Sequence, residues 1–436
     1  MVECAALEMR YARKGIGGSN PPISEKSSAR KGAFIFREMS KTCFVSRGGF
    51  EDRTKIFLGF CDRKIRKVYC SCKERNSSHL RFSKSWPFWT PMEVIPILAK
   101  IVRMNPNETP KSDYQTFREE KHKSFNTPQE IINGAIEKAA KSPIVEQERI
   151  IAGETNEVHL VRTENGREVI IRIYHGEKPK FERERWAIEQ CREVGVPVPE
   201  VMLVESTEAE RKPLHICVES KLEGVPMGDI RKSDDPEISK NLKALLGQLG
   251  NNLGKIHSVP VNGFGSLDKN GNGKYRTAKE LLTQDLTIAK ENTLPEHSLL
   301  TIDREIVFRA KEILNREAEN FPLVSPRLLH GDLAPQHVLV KEGKISGIID
   351  FEHAKGSDPA EEFARWELKF GDTYPIADIQ EGYGNKELFG GDFKKRKNVW
   401  RLYQGLAILS YCVREKKQFG IDNALKGLAE TVQLFN

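Results

Sequence analysis

The stretch that decides the fold reads His330-Gly-Asp-Leu-Ala-Pro-Gln-His-Val-Leu-Val340, followed by Lys-Glu-Gly-Lys at 341–344 and Ile-Ser-Gly-Ile-Ile-Asp-Phe at 345–351. Two apolar runs around a four-residue turn predict an antiparallel β-hairpin. The midpoint between His337 and Asp350 falls inside that turn, so these side chains should face each other across the open end of the hairpin. Asp332 lies five residues before His337. The pattern therefore brings two carboxylates and an imidazole to one place.

A group of this composition suits phosphoryl transfer. A carboxylate can orient an attacking hydroxyl and accept its proton, and oxygen or nitrogen ligands can hold the Mg²⁺ that neutralises phosphate charge. The kinase signature places a catalytic Asp, a metal-binding side chain five residues later and a second metal-binding Asp after a hairpin. Asp332, His337 and Asp350 match that spacing.

With Gly347-Ile-Ile-Asp-Phe-Glu and Asp358-Pro, the segment resembles the aminoglycoside phosphotransferase family, a branch of the protein-kinase-like fold, over residues 127–436. The resemblance implies that Asp332 is the catalytic base and Asp350 the main Mg²⁺ ligand. His337 stands where many members have Asn, and it is a softer ligand than Mg²⁺ usually takes. His330 is expected to brace the catalytic loop, and Asp358 to support it.

The rest of the chain predicts two lobes. Strand-like runs lie at 148–152, 158–162, 167–174, 200–205 and 214–220, with a helix at 179–194. Helical periodicity dominates later, at 242–257, 304–320, 400–415 and 423–434. We therefore predict an α+β, bilobal protein-kinase-like fold. A small lobe with a five-stranded antiparallel sheet (126–222) would bind nucleotide, and a larger helical lobe (223–436) would carry catalysis and the acceptor.

The nucleotide side of the site rests on weaker signals. Gly153, Thr155 and Asn156 belong to a turn between two predicted strands, where backbone N–H groups could contact phosphate. An ordinary hairpin turn is the alternative interpretation. Arg172 is the lone charge within Val-Ile-Ile-Arg-Ile, where kinases place a Lys that holds phosphates. A solvated Arg at a sheet edge is the alternative there.

The partner of Arg172 should be a Glu on the following helix. Glu184 shares a face with the apolar Ile188 and Cys191, so it is preferred to Glu182 and Glu189. Residues 218–221, with Glu219 and Lys221 as contacts, are expected to cross between the lobes and to bind the base through the backbone. The side chains do not distinguish ATP from GTP.

The acceptor is expected to be a small molecule with a hydroxyl group, of an aminoglycoside-like or other amino or hydroxyl kind. Acidic residues outnumber Lys and Arg by eleven to four between 350 and 392, which could attract a cationic acceptor. The candidates for this contact are Glu361, Glu362 and Trp366. Solvated helix faces or ordinary packing explain the same residues equally well.

The net charge of +7 belongs to the N-terminal part of the chain, because Lys and Arg outnumber Asp and Glu by 19 to 8 in residues 1–90. Residues 1–125 lack sustained periodicity and are predicted to be a basic, disordered extension. A translation start at Met92 or Met104 is a second interpretation, and a nucleic-acid-binding arm is a less favoured third. With neither a membrane-length apolar run nor a signal-peptide pattern, a cytoplasmic location is expected.

An active small-molecule kinase, using Mg²⁺ with ATP or GTP as co-substrate, is the favoured function. The departures at Arg172 and His337 leave open an inactive nucleotide-binding pseudokinase module. A protein kinase is disfavoured, because no Ala-Pro-Glu sequence follows Asp350.

Overall fold

The protein is described by a computed structural model over residues 113–435, apart from 152, 179, 210, 231–235 and 286–303, together with the backbone of four earlier strands. Those strands are β1 (Ala33–Glu38), β2 (Lys41–Phe50), β3 (Arg53–Phe60) and β4 (Val68–Cys72), paired in that order as an antiparallel sheet. They belong to a unit of their own, and residues 111–436 belong to another. The predicted disordered extension falls largely outside the described residues and stays a prediction.

The small lobe consists of a five-stranded antiparallel sheet and three helices. The helices are α1 (Asp113–His122), α2 (Gln129–Ala140) and α3 (Phe181–Glu193). The strands are β5 (Ile144–Ile150), β6 (Asn156–Thr163), β7 (Glu168–Tyr174), β8 (Val201–Ala209) and β9 (Lys212–Ser220), in the order β5-β6-β7-β9-β8. Helix α1 lies ahead of the lobe boundary predicted at residue 126.

The central strand β7 positions the site because its side chains alternate between two faces. Val169, Ile171 and Ile173 are buried in one cluster with Ile132 and Ile136 of α2. The opposite face of β7 carries the buried charge of the strand, toward α3. The buried apolar face accounts for Val169, Ile171 and Ile173, and the cleft face accounts for the single buried charge of the strand, Arg172.

The large lobe is mainly helical. Its helices are α4 (Pro236–Ile256), α5 (Ala278–Glu280), α6 (Arg304–Glu319), α7 (Pro359–Phe370), α8 (Ile376–Gly382), α9 (Phe393–Arg414) and α10 (Gln418–Gln433). Short strands accompany them: β10 (Val225–Pro226), β11 (Phe264–Leu267), β12 (Gly273–Tyr275), β13 (Arg327–Leu329), β14 (Val338–Lys341), β15 (Lys344–Ile348) and β16 (Lys355–Ser357).

The predicted hairpin is present as β14 and β15, but the turn is the two residues 342–343 rather than 341–344, and the register shifts between Leu339 and Val340. Its apolar residues Val338 and Ile348 are buried in the core of the large lobe, which also contains Trp366 and Trp400. The hairpin is thus fixed to packed helices, and its open end faces the small lobe. None of the described helices combines the length and apolar character that a bilayer crossing requires.

Candidate active site

The catalytic group predicted from the motif converges at the open end of the β14–β15 hairpin. A single 3₁₀ turn, Pro335–His337, leads into β14, and Asp350 follows β15. The Nδ1 atom of His337 lies 2.9 Å from the carbonyl oxygen of Asp332, and its Nε2 atom lies 3.5 Å from Oδ2 of Asp350. The structure therefore brings these three residues together, although Ile349 rather than Asp350 lies opposite His337 in the hairpin, with its backbone N–H donating to the His337 carbonyl at 3.0 Å.

The hydrogen bonds of His337 assign its tautomer. A carbonyl oxygen can only accept, so Nδ1 carries the proton that goes to Asp332 O, and the lone pair of Nε2 faces Asp350. Burial lowers the pKa of His337 to about 4, although the Asp350 and Asp332 carboxylates oppose this effect. The imidazole is therefore neutral near pH 7 and can act as a metal ligand.

The backbone of the catalytic segment is held in two unusual conformations. Asp350 has φ 70° and ψ 56°, a left-handed conformation that costs energy for a residue with a side chain and that clusters at functional sites. Gly331 has φ +80°, and a Cβ atom there would lie 2.0 Å from the carbonyl oxygen of His353. Glycine next to Asp332 thus lets the catalytic loop pass close to the chain that follows Asp350.

Asp332 contacts a cation that the sequence analysis did not identify. Nη2 of Arg365, on α7, donates to Oδ1 of Asp332, and Nη1 of Arg365 donates to Gln404 at 2.8 Å. Burial alone would raise the pKa of Asp332, but the surrounding positive charges, that of Arg365 among them, hold it well below its usual range. Asp332 is therefore a carboxylate at neutral pH. Nothing in the motif signals Arg365, which is 33 residues away.

His330 and Glu362 hold the catalytic loop in place. Nε2 of His330 bonds the carbonyl oxygen of Ile349 at 2.9 Å, which ties the loop to the residue before Asp350. The carboxylate of Glu362 accepts from the backbone N–H groups of His330 and Gly331, at 2.7 and 3.1 Å. His330 thus lies where a brace was predicted, and Glu362 adds a second brace.

Asp358 caps helix α7 and is buried. Its carboxylate accepts from the backbone N–H of Ala360 at 3.0 Å, and it also bonds Arg396 at 2.5 Å and Nε1 of Trp400 at 3.1 Å. These contacts fix the start of α7, which carries Arg365 and Glu362. Asp358 therefore acts on the site through the helix it positions, in line with the predicted support.

The three acceptor candidates all lie inside the large lobe. Glu361, Glu362 and Trp366 are 1%, 2% and 2% exposed. Glu361 accepts from Lys355 at 2.5 Å and from Gln404 at 2.6 Å. Glu362 binds backbone N–H groups, and the indole N–H of Trp366 donates to a backbone carbonyl. Their polar atoms are used within the protein, because a buried carboxylate needs such partners, and this placement argues against contact with an acceptor.

On the small-lobe side, Arg172 is buried among four carboxylates. Its Nη1 lies 2.6 Å from Oε1 of Glu184, the partner expected from the helix face. Its Nη2 lies 2.8 Å from Oδ1 of Asp350 and 3.3 Å from Oε2 of Glu352. Its Nη1 also lies 3.8 Å from Oε2 of Glu219. Arg172 is thus a buried link between the two lobes, which excludes the alternative of a solvated edge residue.

Glu352 is a second group that the sequence analysis left without a role. It accepts from Thr155 at 3.2 Å and Asn156 at 2.9 Å, and Lys180 lies 2.6 Å away. Burial raises the pKa of Glu352, but His353, Lys180 and Arg172 together hold it well below its usual range. Its position two residues after Asp350 is the feature of the sequence that could have indicated a role at the site. Thr155 and Asn156 therefore reach the site through this carboxylate.

The site as a whole has the chemistry of a cation site. Four carboxyl groups (Glu184, Glu219, Asp350 and Glu352) lie around the guanidinium of Arg172, and Lys180 also contacts Glu352. Glu184, Glu219 and Asn156 each have a buried oxygen to which no described residue donates a hydrogen bond. Two ligand atoms that each lie about 2.1 Å from Mg²⁺, on adjacent octahedral positions, are about 3 Å from each other. The distance between His337 Nε2 and Asp350 Oδ2 is 3.5 Å, close to that separation. The residues present therefore fit Mg²⁺.

Within the described residues no group of three or more His, Cys, Asp or Glu side chains forms a complete metal site. The hairpin thus offers two protein donors, as is usual for Mg²⁺ that also binds phosphates and water.

The residues predicted to bind the base are arranged less favourably. The side chain of Lys221 pairs with Glu168 at 2.5 Å. Its backbone N–H donates to the carbonyl of Glu168, and that of Ser220 donates to Glu200. These donors are used inside the sheet, so only Glu219, buried beside Arg172, lies at the site. Gly153, with φ +71°, accepts a hydrogen bond from His122 through its carbonyl oxygen.

The profile of the phosphotransferase enzyme family matches residues 146–387, more than half of the chain. The chain therefore belongs to the phosphotransferase enzyme family. The matched region contains Arg172, Asp332, His337 and Asp350, so the converging residues all lie inside it.

Two curated proteins align with parts of the chain. The hygromycin-B 4-O-kinase of Escherichia coli is 23% identical over 187 residues, which is 42% of this chain and 51% of that protein. The uncharacterized protein YcbJ of Bacillus subtilis (strain 168) is 41% identical over 46 residues, 10% of this chain and 15% of that protein. The alignments thus span about half or less of these relatives.

Solved structures confirm the bilobal protein-kinase-like fold. The crystal structure of aminoglycoside phosphotransferase APH(4)-Ia superposes with a TM-score of 0.57 at 20% identity, covering 70% of this chain and 99% of that one. A thermostable mutant of the same protein, in ternary complex with AMP-PNP and hygromycin B, gives the same TM-score and identity over 69% and 97%. At this identity the likeness concerns the fold.

Proposed function

We propose that the protein is a phosphotransferase that moves the γ-phosphate of ATP or GTP to a hydroxyl of a small molecule, of an aminoglycoside-like or other amino or hydroxyl kind. The observation that carries the proposal is the convergence of Asp332, His337 and Asp350 at one end of a hairpin, with Arg172 against Asp350. The names of the E. coli kinase and of the complex with AMP-PNP and hygromycin B support this acceptor and nucleotide class.

In this proposal Asp332 is the base. The acceptor hydroxyl oxygen forms a bond to the γ-phosphorus while the bond from that phosphorus to the β,γ-bridging oxygen breaks, and the nucleoside diphosphate leaves. The hydroxyl proton goes to the carboxylate of Asp332, which its cationic surroundings keep ionised. Arg365, already bonded to Asp332, can hold the carboxylate oriented and add positive charge beside the transferred group.

Asp350 and His337 would hold Mg²⁺ through Oδ2 and Nε2. When bound, the ion neutralises the charge of the β- and γ-phosphates. Because the proton of His337 is committed to the carbonyl of Asp332, the ring presents its lone pair toward the metal position. The same hydrogen bond couples the metal ligand to the catalytic loop, so the base and the metal position are fixed together.

Arg172 would bind phosphate oxygens of the nucleotide, with Glu184 holding it in place. The β5–β6 loop, described at residues 151 and 153–155, lies over the same carboxylates through Thr155, so it is suited to cover the phosphates. Glu219 lies on the side toward the crossing between the lobes. A cytoplasmic location, where ATP and GTP are available, agrees with this use.

An inactive nucleotide-binding module is the second candidate, and one contact favours it. Arg365 occupies Oδ1 of Asp332, which would compete with an acceptor hydroxyl for the base. An inactive module would bind nucleotide without turnover, and replacement of Asp332 would leave that binding unchanged.

The test is Mg²⁺-dependent nucleotide binding and turnover by wild type, Asp332→Ala and Asp350→Ala, with a panel of aminoglycosides and small amino alcohols. Asp332→Ala should bind nucleotide normally and lose transfer. Asp350→Ala should also lose the Mg²⁺ dependence of binding. Full turnover by Asp332→Ala would refute the proposed mechanism. Binding without turnover by wild type, and without any Mg²⁺ dependence, would favour the inactive module.

A further inference from the structure

The β5–β6 loop carries a carboxylate that the proposed reaction does not use. Glu154 is only 6% exposed, although it lies in a loop between two strands. A carboxylate buried in this way needs strong partners. Among the described residues, its carboxylate is hydrogen-bonded by Tyr411 and Lys417, both from the far end of the large lobe.

Both partners reach across the cleft to the same carboxylate. The hydroxyl of Tyr411, on α9, donates to Oε2 of Glu154 at 2.7 Å. Nζ of Lys417 lies 2.6 Å from each of the two oxygens of Glu154. These residues are 257 and 263 positions apart from Glu154 in the sequence. The contact therefore joins the small lobe to the large lobe at the loop proposed to cover the nucleotide.

The turn between α9 and α10 (residues 415–417) presents Lys417 in a fixed position. Lys416 adopts a left-handed conformation, with φ 55°, and the backbone N–H of Lys417 donates to the carbonyl of Cys412 at 2.8 Å. Nζ of Lys417 also lies 3.2 Å from the hydroxyl of Tyr411 and 4.8 Å from its ring centroid. Tyr411 and Lys417 are thus arranged by the large lobe itself.

The loop is held from its other side by helix α1. Nε2 of His122 bonds the carbonyl oxygen of Gly153 at 3.2 Å, and Arg149 donates to the carbonyl of His122 at 2.8 Å. Lys121, also on α1, lies 3.9 Å from Glu415 in the α9–α10 turn. His122, Tyr411 and Lys417 all lie outside the family match at 146–387. The loop is therefore fixed by segments that flank the shared catalytic region.

We infer that Glu154, Tyr411 and Lys417 form an interlobe clasp that holds the β5–β6 loop closed over the nucleotide phosphates, so that Tyr411 and Lys417 are positioning residues for the nucleotide. Opening the loop breaks two charge-assisted contacts to a buried carboxylate, which are among the stronger hydrogen bonds in proteins. The clasp therefore lowers the rate at which the loop opens and nucleotide leaves. The nucleotide part of this inference rests on the function proposed above, whereas the closed loop does not.

Lys417→Met tests the clasp, because Met keeps the aliphatic length and removes the charge. Lys416→Met is the matched control, since it removes the neighbouring cation, which is exposed. Hydrogen–deuterium exchange of peptides covering residues 151–157, in nucleotide-free protein, should be about tenfold faster in Lys417→Met and unchanged in Lys416→Met. A tenfold change corresponds to about 1.4 kcal/mol. Unchanged exchange in Lys417→Met, or equal acceleration in the control, would overturn the clasp whatever the protein binds.

The nucleotide part is measured separately, with fluorescent mant-ATP and Mg²⁺. Lys417→Met should raise the dissociation rate constant and the nucleotide KM about tenfold and change kcat at saturating nucleotide little. The reversed pair Glu154→Lys with Lys417→Glu should recover part of the loss seen in either single variant. If Lys417→Met exchanges faster at residues 151–157 but releases mant-ATP at the wild-type rate, the nucleotide role is refuted and the clasp is supported. Failure of wild type to bind either mant-ATP or mant-GTP would refute the proposed function and, with it, the nucleotide role.

Discussion

Removing Arg172 should destabilise the protein strongly, because its partners stay behind as buried charges. The side chains of Arg172 and Glu184 are 7% and 0% exposed and lie 2.6 Å apart. Deleting one partner of such a pair costs about 3–5 kcal/mol, a large part of a total stability of about 5–15 kcal/mol. With an m-value of about 3 kcal/mol per M, the urea midpoint of Arg172→Met should fall by about 1 M or more.

The loss should depend on pH in a direction set by Glu184. Burial raises the pKa of Glu184 to about 8 even against the lowering effect of Arg172. Without Arg172 this pKa should rise further, so the folded state keeps the proton on the carboxyl over a wider pH range. The unfolded chain, with a pKa of about 4.3, releases that proton. The folded state then binds more protons, so stability falls as pH rises above about 5. Arg172→Met should therefore be less destabilised at about pH 5.5 than at about pH 8.

The assay is urea unfolding followed by circular dichroism at both pH values. Arg162→Met is the matched control, because it breaks an Arg–Glu pair on the neighbouring strand whose side chains are 47% and 65% exposed. It should leave the free energy of unfolding almost unchanged. Equal midpoints for wild type and Arg172→Met, or a greater loss at the lower pH, would refute the picture of a buried, charge-compensating Arg172.

Three further variants test the catalytic segment. His337→Asn should keep Mg²⁺-dependent turnover, because an amide oxygen can replace Nε2, whereas His337→Leu should weaken the Mg²⁺ dependence about tenfold or more; equal loss in both would refute a ligand role. Gly331→Ala should lower the free energy of unfolding in urea by about 2 kcal/mol or more, because φ is +80° there and the His353 carbonyl lies close to the added Cβ. Gly134→Ala is the control: nothing lies within 4 Å of its added Cβ, so the change should be neutral or stabilising. Arg365→Gln should move the acid limb of the kcat/KM–pH profile upward, because a cation that lowers the pKa of Asp332 is lost; an unmoved limb would contradict this contact.

Local patterns predicted the catalytic group well. Counting residues around a tight turn predicted that His337 and Asp350 meet, but the register differs from the predicted one. The register shift within β14 places Ile349 opposite His337, and Asp350 lies beyond the strand in a left-handed conformation. The pairing of Arg172 with Glu184 follows from two periodicities, that of a strand and that of a helix. Each prediction needed only the spacing of residues within one or two neighbouring elements.

The contacts missed from sequence join elements far apart in the chain. Arg365 reaches Asp332 only because Asp358 fixes the start of α7. Lys417 reaches Glu154 only because the α9–α10 turn lies against the small lobe. The orientation of a packed helix is set by the whole core, so no spacing rule reveals these contacts.

The acceptor candidates stay predictions, and their burial argues against them for a related reason. Composition showed an excess of acidic residues after Asp350, but it did not show which carboxylates are consumed by internal hydrogen bonds. Glu361 and Glu362 are acidic residues in a helix that turns them inward, toward Lys355 and the backbone of the catalytic loop. The number of charged residues in a segment predicts the electrostatic potential around it. Whether a given carboxylate is available to a ligand depends on the hydrogen bonds it already accepts within the protein.

The most direct test of the central proposal follows the γ-phosphate itself. Wild type and Asp332→Asn would be incubated with Mg²⁺, γ-radiolabelled ATP or GTP and each acceptor of the panel, and the label would be traced by chromatography. The proposed mechanism predicts label on a hydroxyl of at least one acceptor with wild type, and none with Asp332→Asn although it still binds nucleotide. Label transferred equally by Asp332→Asn would contradict the assignment of Asp332 as the base.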